Sequence, residues 1–307
     1  MTIRYGFIGL GNLGQKLAGS LLHGGFDVTV NDLHNSSAAP LLEAGAKWAD
    51  TPQALAAMVD AVITCLPSPA ASEKVLTGQQ GILAGFAGNA APHKTWIEMS
   101  TLDQETIGRL ARLAAGLGVA TLESPVTGGV HLAASGQITV IVGGDAEVFA
   151  RHRPALQAMG ARIFHVGPVG KASVIKVITN MLAFIHLVAA GEALMLAKRG
   201  GIDLGQAFEI IKASSGNSFV HETESQVILN GSYNINFTMD LACKDLGFAM
   251  QFGRDFGVPL DLAGQTAQTF IRARAAYGGG AWSSQVVKLL EDAVQTDLRA
   301  PGFPAEL

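Results

Sequence analysis

The sequence predicts a chain in two parts: an α/β half built on a doubly wound, mostly parallel sheet, then an all-helical half, with a long helix between them. Three observations predict this. Short apolar runs of strand length alternate with helix-period stretches from Ile3 to about residue 165. From Gly167 to about Lys198 the chain is apolar on nearly every face, enough for one helix of roughly thirty residues, about 45 Å at 1.5 Å per residue. Beyond it no strand-length run recurs, and Gly200-Gly201, Ser214-Ser-Gly-Asn217 and Gly257-Val-Pro259 punctuate helices. The expected domains are 1–165 and 166–307, the second opening with the long helix at about 168–198; a length of 307 residues suits two domains.

Ile3 to Ile8 reads as a short buried strand that runs into Gly9-Leu10-Gly11-Asn12-Leu13-Gly14, after which Leu13, Leu17, Leu21 and Leu22 recur at helical spacing. This is the strand, glycine turn and helix of a Rossmann-type dinucleotide site. The first glycine allows the tight turn, the second lets backbone approach a pyrophosphate, and the third permits close helix packing. GxGxxG alone is weak, but Asp27-Val-Thr-Val-Asn-Asp32 follows as a second strand ending in an acid at the expected distance. Asp32 would accept hydrogen bonds from both ribose hydroxyls and repel a 2′-phosphate, and Leu33 and His34 supply no Arg, so NAD is favoured over NADP. The plainer reading is that Asp32 caps the next turn.

Gly45 to Trp48 suggests a third short strand, and Thr51-Pro52 an N-cap and first helical position. Ala61 to Leu66 is a buried strand closed by Pro67-Ser-Pro69, which puts Leu66 and Pro67 at a strand's carboxyl end, where an open α/β sheet binds its ligand. Thr95 to Glu98 is another strand; Ser100 or Thr101 then caps a helix beginning near Asp103. Gly118 to Glu123 leads into Ser124-Pro-Val-Thr-Gly-Gly129, ahead of a strand over Gln137–Val142. Consecutive glycines beside a hydroxyl suit an anion nest, so Thr127, Gly128 and Gly129 are read as carboxylate-binding rather than as a plain hairpin turn.

Within the long helix, Lys176 and Asn180 interrupt the apolar opening one turn apart and point the same way. Val174, Ile175, Val177 and Ile178 leave Lys176 no polar face, and a desolvated ammonium loses proton affinity and becomes a candidate base. His186 and Glu192 argue for a buried soluble helix rather than a membrane span. Further on, Lys244 either serves the site or pairs with Asp240 four residues earlier on a solvated face. The stretch Ala300-Pro-Gly-Phe-Pro304 reads as irregular and mobile.

Composition narrows the partners. The chain is 49% apolar and 15% charged, with a formal net charge of −4 and no basic run, which argues against nucleic-acid and membrane surfaces. Small molecules or copies of itself remain. Two cysteines, Cys65 and Cys243, form no disulfide framework, and the chain enters a strand at once without a signal-peptide pattern, so a cytoplasmic location is expected. The eight histidines show no metal-ligand spacing, so no metal is expected.

The residues Phe-Ile-Gly-Leu-Gly-Asn-Leu-Gly14, Cys-Leu-Pro67, Met-Ser-Thr101, Ser-Pro-Val-Thr-Gly-Gly129, Gly167 to Lys176 with Asn180, and Lys244-Asp245 resemble, in that order, the β-hydroxyacid dehydrogenases. The resemblance covers nearly the whole chain. It implies Lys176 as catalytic acid/base, Asn180 as substrate-positioning, Thr127 to Gly129 as carboxylate site, and Lys244 beside nicotinamide and substrate. Thr101, Leu66 and Pro67 would join Gly9 to Gly14 and Asp32 at the cofactor. It also implies a homodimer or homotetramer formed through the helical domain. Leu13, Ser20, Thr127, Thr179 and Lys171 depart from the common family residues and bear on which 3-hydroxy acid is taken; Lys171 and His131 favour a second acidic or polar group on it. The competing readings are an NADP-linked reductase of small aldehydes such as glyoxylate or succinic semialdehyde, an imine reductase of similar architecture, and a non-catalytic dinucleotide-binding scaffold.

Overall fold

A computed structural model describes residues 3–88 and 93–307, so the first two residues of the N-terminal pattern lie outside the described residues. The chain divides into two compact units, Met1–Lys176 and Val177–Leu307.

The first unit follows the expected alternation. Its elements are β1 (Tyr5–Ile8), α1 (Gly14–His23), β2 (Val28–Asn31), α2 (Ala39–Glu43), β3 (Lys47–Trp48), α3 (Pro52–Met58), β4 (Ala61–Thr64), α4 (Pro69–Thr77) and α5 (Ile82–Ala87). Then come β5 (Thr95–Glu98), α6 (Gln104–Ala115), β6 (Ala120–Glu123), β7 (Val126–Thr127), α7 (Val130–Ala134), β8 (Ile138–Gly144), α8 (Ala146–Met159) and β9 (Gly160–His165). The sheet order is β3-β2-β1-β4-β5-β6-β8-β7, with β9 on β8. From β3 to β6 all pairs are parallel; β8 runs antiparallel to β6 and β7. The order reverses between β1 and β4, and such a switch point opens a crevice at the strands' carboxyl ends.

Both faces of this sheet are covered, as a parallel sheet requires. Alternate residues divide accordingly: Tyr5, Phe7, Ile63 and Ile97 pack with Leu17 and Leu21 of α1, while Ile8, Val62 and Trp96 pack with Leu55, Phe86, Ile107 and Leu110. The cap read at Thr51 is present, its hydroxyl accepting from Ala54 N at 3.0 Å; Ser68, which the sequence did not mark as a cap, also accepts, from Ala71 N at 3.2 Å. The cap expected at Ser100 or Thr101 is instead Asp103, whose carboxylate accepts from Thr106 N at 2.8 Å. A carboxylate at the turn itself displaces the weaker hydroxyl caps upstream. β9 was not legible: Arg162 and Phe164 face solvent, and only pairing with β8 makes the segment a strand.

The long helix α9 spans Lys171–Arg199, and its first residues are counted with the first unit. The second unit continues with α10 (Leu204–Lys212), α11 (Phe219–Asn230), α12 (Met239–Phe256), α13 (Asp261–Tyr277) and α14 (Lys288–Val294). Apart from an isolated bridge between Thr238 and Trp282, no strand is found here among the described residues. One side of α9, with Phe184, Leu187, Leu194 and Met195, is buried against Phe208, Ile228, Leu246 and Phe270. The other side carries Ile178, Leu182 and Leu196, the last 77% exposed, so the expected all-round burial holds for one face only.

The tail departs from expectation too. It is irregular but docked: Ala300 N donates to Leu229 O at 3.0 Å, Asn230 Nδ2 to Phe303 O at 2.9 Å, and the Phe303 ring lies 5.1 Å from that of Phe208. Arg299 bonds the buried Glu291 at 2.9 Å and the Tyr233 hydroxyl at 2.8 Å, an anchor that a scan for turn residues does not see.

Tyr5, His152 and Thr95 form a buried chain, the His152 ring bonding Tyr5 Oη and Thr95 Oγ1 at 2.9 Å each. Burial, with Arg151 nearby, lowers the His152 imidazole to about 4. The unfolded chain therefore takes up a proton near pH 6.5 that the folded one refuses until about pH 4, so stability is full above 6.5 and is lost as pH falls through that window. The expected loss is about 3 kcal/mol at its full extent. Urea unfolding of the wild type should weaken between pH 7 and 4.5 more steeply than that of His152→Gln; equal slopes would remove His152 as the cause.

Candidate active site

The glycine turn takes the form its sequence requires. Gly9 has a φ of 96°, and a Cβ there would stand 2.3 Å from Cys65 O. A Cβ on Gly14 would lie 1.9 Å from Gly9 O, so β1 and α1 meet backbone to backbone. At Gly11, by contrast, nothing lies within 4 Å of a Cβ, which leaves space over the turn for a ligand's own atoms. α1 carries no acidic residue in its first turn and no side-chain cap, and its positive end suits a phosphate. Asn12 and Leu13 lie in the turn between Gly11 and Gly14.

Asp32, directly after β2, is tied to this turn: Oδ2 accepts from Leu10 N at 2.6 Å and Oδ1 from His34 N at 2.9 Å. The capping role is therefore present, and it does not exclude the dinucleotide role, because each carboxylate oxygen retains a further lone pair. At the end of β4, Leu66 N donates to Ser100 Oγ at 2.7 Å, and Ser100 N donates to the buried Glu98 at 2.7 Å. Burial pushes the Glu98 carboxyl up, and Ser100 pulls it back. Ser100 and Glu98 thus set the Leu66-Pro67 loop, and Thr101 follows in the same turn. Burial also pushes the neighbouring Cys65 thiol up to about 12, so it is no nucleophile.

Thr127 pairs with Thr139 of β8, and the next two residues, Gly128 and Gly129, have φ of 126° and 90°. α7 separates them from β8, so a plain hairpin turn is excluded. The His131 ring stands against Gly129, where a Cβ would lie 3.0 Å from its Cε1, and burial lowers its imidazole.

Lys176 is 8% exposed and Val177 beside it fully buried, which rules out a solvated lysine. In the second unit, Asp245 joins two residues that sequence reading singled out. Its Oδ2 accepts from Asn180 Nδ2 at 2.6 Å and its Oδ1 from Lys244 Nζ at 2.7 Å, and Lys244 Nζ lies 4.9 Å from the Phe248 ring centre. Asp240 pairs with Arg274 instead, which removes the pairing weighed for Lys244. Asp245, 1% exposed, is the partner that the sequence did not assign to either residue, although it stands next to Lys244 in the quoted motif. Among the described residues no cluster of His, Cys, Asp and Glu could hold a metal.

A switch-point glycine turn, an acid after β2 and a helical second unit define a dinucleotide-binding oxidoreductase fold. Residues 4–167 match the model of the NAD binding domain of 6-phosphogluconate dehydrogenase, and residues 170–290 that of the NAD-binding region of NADP-dependent 3-hydroxyisobutyrate dehydrogenase. The chain is 33% identical over 291 residues to 2-(hydroxymethyl)glutarate dehydrogenase of Eubacterium barkeri, covering 94% of this chain and 95% of that one. It is 37% identical over 251 residues to 3-hydroxyisobutyrate dehydrogenase of Pseudomonas aeruginosa, covering 80% and 83%. A solved 3-hydroxyisobutyrate dehydrogenase from Salmonella typhimurium superposes with a TM-score of 0.86 at 30% identity, covering 94% and 99%. The chain belongs to the β-hydroxyacid dehydrogenase family of NAD(P)-dependent 3-hydroxyacid dehydrogenases.

Two glycines separate packing from binding. Gly14→Ala forces backbone apart and should destabilise by about 1–3 kcal/mol or more. Gly11→Ala should keep its melting temperature yet weaken dinucleotide binding by about tenfold or more in calorimetric titration, an effect of lost approach rather than lost fold. Equal affinity in Gly11→Ala and wild type would mean that the open space over the turn is not used.

Proposed function

We propose that the chain catalyses reversible, NAD-dependent oxidation of the β-hydroxyl of a small 3-hydroxy carboxylic acid, with Lys176 as general acid/base. The observation that carries this is the withdrawal of Lys176 from water on the apolar opening of α9. An amine so placed exchanges a proton with a bound alcohol without competition from solvent. Thr127, Gly128 and Gly129 hold the substrate carboxylate and fix which carbon reacts. Asn180, held by Asp245, would orient the substrate hydroxyl, and Lys244 would serve the substrate and the nicotinamide. The bound nicotinamide supplies hydride acceptance or donation. In oxidation Lys176 takes the hydroxyl proton; in reduction its ammonium returns one to the developing alkoxide.

The turn from Gly9 to Gly14, with Asp32, Leu66, Pro67 and Thr101, holds the dinucleotide. NAD is favoured by Asp32 and by Leu33, which is 95% exposed where a 2′-phosphate would need an arginine. The substrate class is supported by the names of two relatives: 3-hydroxyisobutyrate and 2-(hydroxymethyl)glutarate share a 3-hydroxypropionate core and differ at the α-carbon.

Lys176→Ala should bind NAD within about threefold of wild type and lose roughly 10² to 10⁴ in kcat. Near-normal kcat would overturn the assignment, and absence of turnover in both proteins would favour the scaffold reading. A panel of 3-hydroxyisobutyrate, serine, glycerate and 2-(hydroxymethyl)glutarate, each with NAD and NADP, should give a higher kcat/KM with NAD by about tenfold or more. A clear NADP preference, with faster reduction of glyoxylate or succinic semialdehyde, would favour the rival reductase.

A further inference from the structure

Helix α9 is capped from outside itself. Its N-cap position is Gly170, which has no side chain, and the amides of its first turn must be met elsewhere. Lys171 N donates to Pro168 O at 3.2 Å and Val174 N to Gly170 O at 3.3 Å. The rest go to one carboxylate, that of Glu123 at the end of β6. Oε1 accepts from Gly170 N at 2.5 Å and Ala172 N at 2.9 Å; Oε2 accepts from Ser173 N at 3.1 Å and Ser173 Oγ at 2.5 Å. Glu123 is 1% exposed and Ser173 3%. On its other side the carboxylate lies against Gly143, where a Cβ would stand 2.3 Å from Oε1.

Two consequences follow. β8 pairs with Glu123 through Gly143 and with Thr127 through Thr139, so one strand holds both the cap of the helix and the start of the Thr-Gly-Gly loop. And Lys176 sits four residues past Ala172 and three past Ser173, so its side chain leans back over the turn that Glu123 grips. Rotating or sliding α9 by a fraction of a turn would move the amine relative to the loop.

We propose that Glu123 is a positioning residue for the reaction: by fixing the first turn of α9 to the end of β6, it sets where the Lys176 amine stands relative to Thr127, Gly128 and Gly129. This rests on the reading of Lys176 as acid/base. A misplacement of about 1 Å at such a site costs about 100-fold in rate.

The test is a double-mutant cycle in the full-length protein, with NAD and 3-hydroxyisobutyrate or whichever acid of the panel turns over fastest. Glu123→Gln should lower kcat about 100-fold with the KM for NAD within threefold, and should cost less than threefold when added to Lys176→Ala. Glu123→Asp should recover part of the loss. A merely structural carboxylate would lower the melting temperature and cost equally in both backgrounds, and that result, or no loss at all, overturns the proposal. Should Glu123→Gln fail to fold, Ser173→Ala removes one of its donors; a loss of several-fold confined to the Lys176 background supports the proposal, and equal or absent losses overturn it. If Lys176→Ala alone keeps near-normal kcat, the acid/base reading fails, independently of what Glu123 does.

Discussion

A helix whose first amides face the interior must have them answered by something outside it, since each one left unmet costs on the order of a kilocalorie per mole or more. In this chain Glu123 answers three amides and a hydroxyl with two oxygens. A carboxylate removed from water is costly in isolation, and it is tolerated here because its lone pairs are taken up by donors. Burial pushes its carboxyl up while the Ser173 hydroxyl and the backbone amides pull it back. The strand half thus dictates the start of the helix that opens the helical half.

The same device recurs at other joints. Glu98 receives the Ser100 amide beneath the loop after β4, and Glu291 receives the Leu298 amide and the Arg299 guanidinium where the tail turns back. In each case an acid that is at most 3% exposed ties backbone of irregular conformation to a regular element. The glycine turn solves the opposite problem, contact without side chains, by letting Gly9 and Gly14 touch through main-chain atoms.

What could be read from residues alone was what local pattern encodes. The turn from Gly9 to Gly14, the acid at Asp32, the cap at Thr51, the extent of α9 and the dry setting of Lys176 all rest on neighbours within a few positions, and the structure has them. What long-range pairing decides was not legible. Glu123 reads as the last residue of a strand, and nothing in its vicinity announces donors 47 to 50 positions away. Spacing made Asp240 the natural partner of Lys244, yet Asp245 takes Lys244 and Arg274 takes Asp240. The Pro- and Gly-rich tail has a mobile composition but is fastened by aromatic and guanidinium contacts that composition does not carry.

That fastening bears on the order in which the polypeptide emerges from the ribosome. The strand half closes on residues up to 176, so its core is complete while much of the chain is still being made. The helical half has Leu298 fully buried in its core and Phe303 packed against it. The core of that half is therefore incomplete without those positions, which are among the last to leave the ribosome.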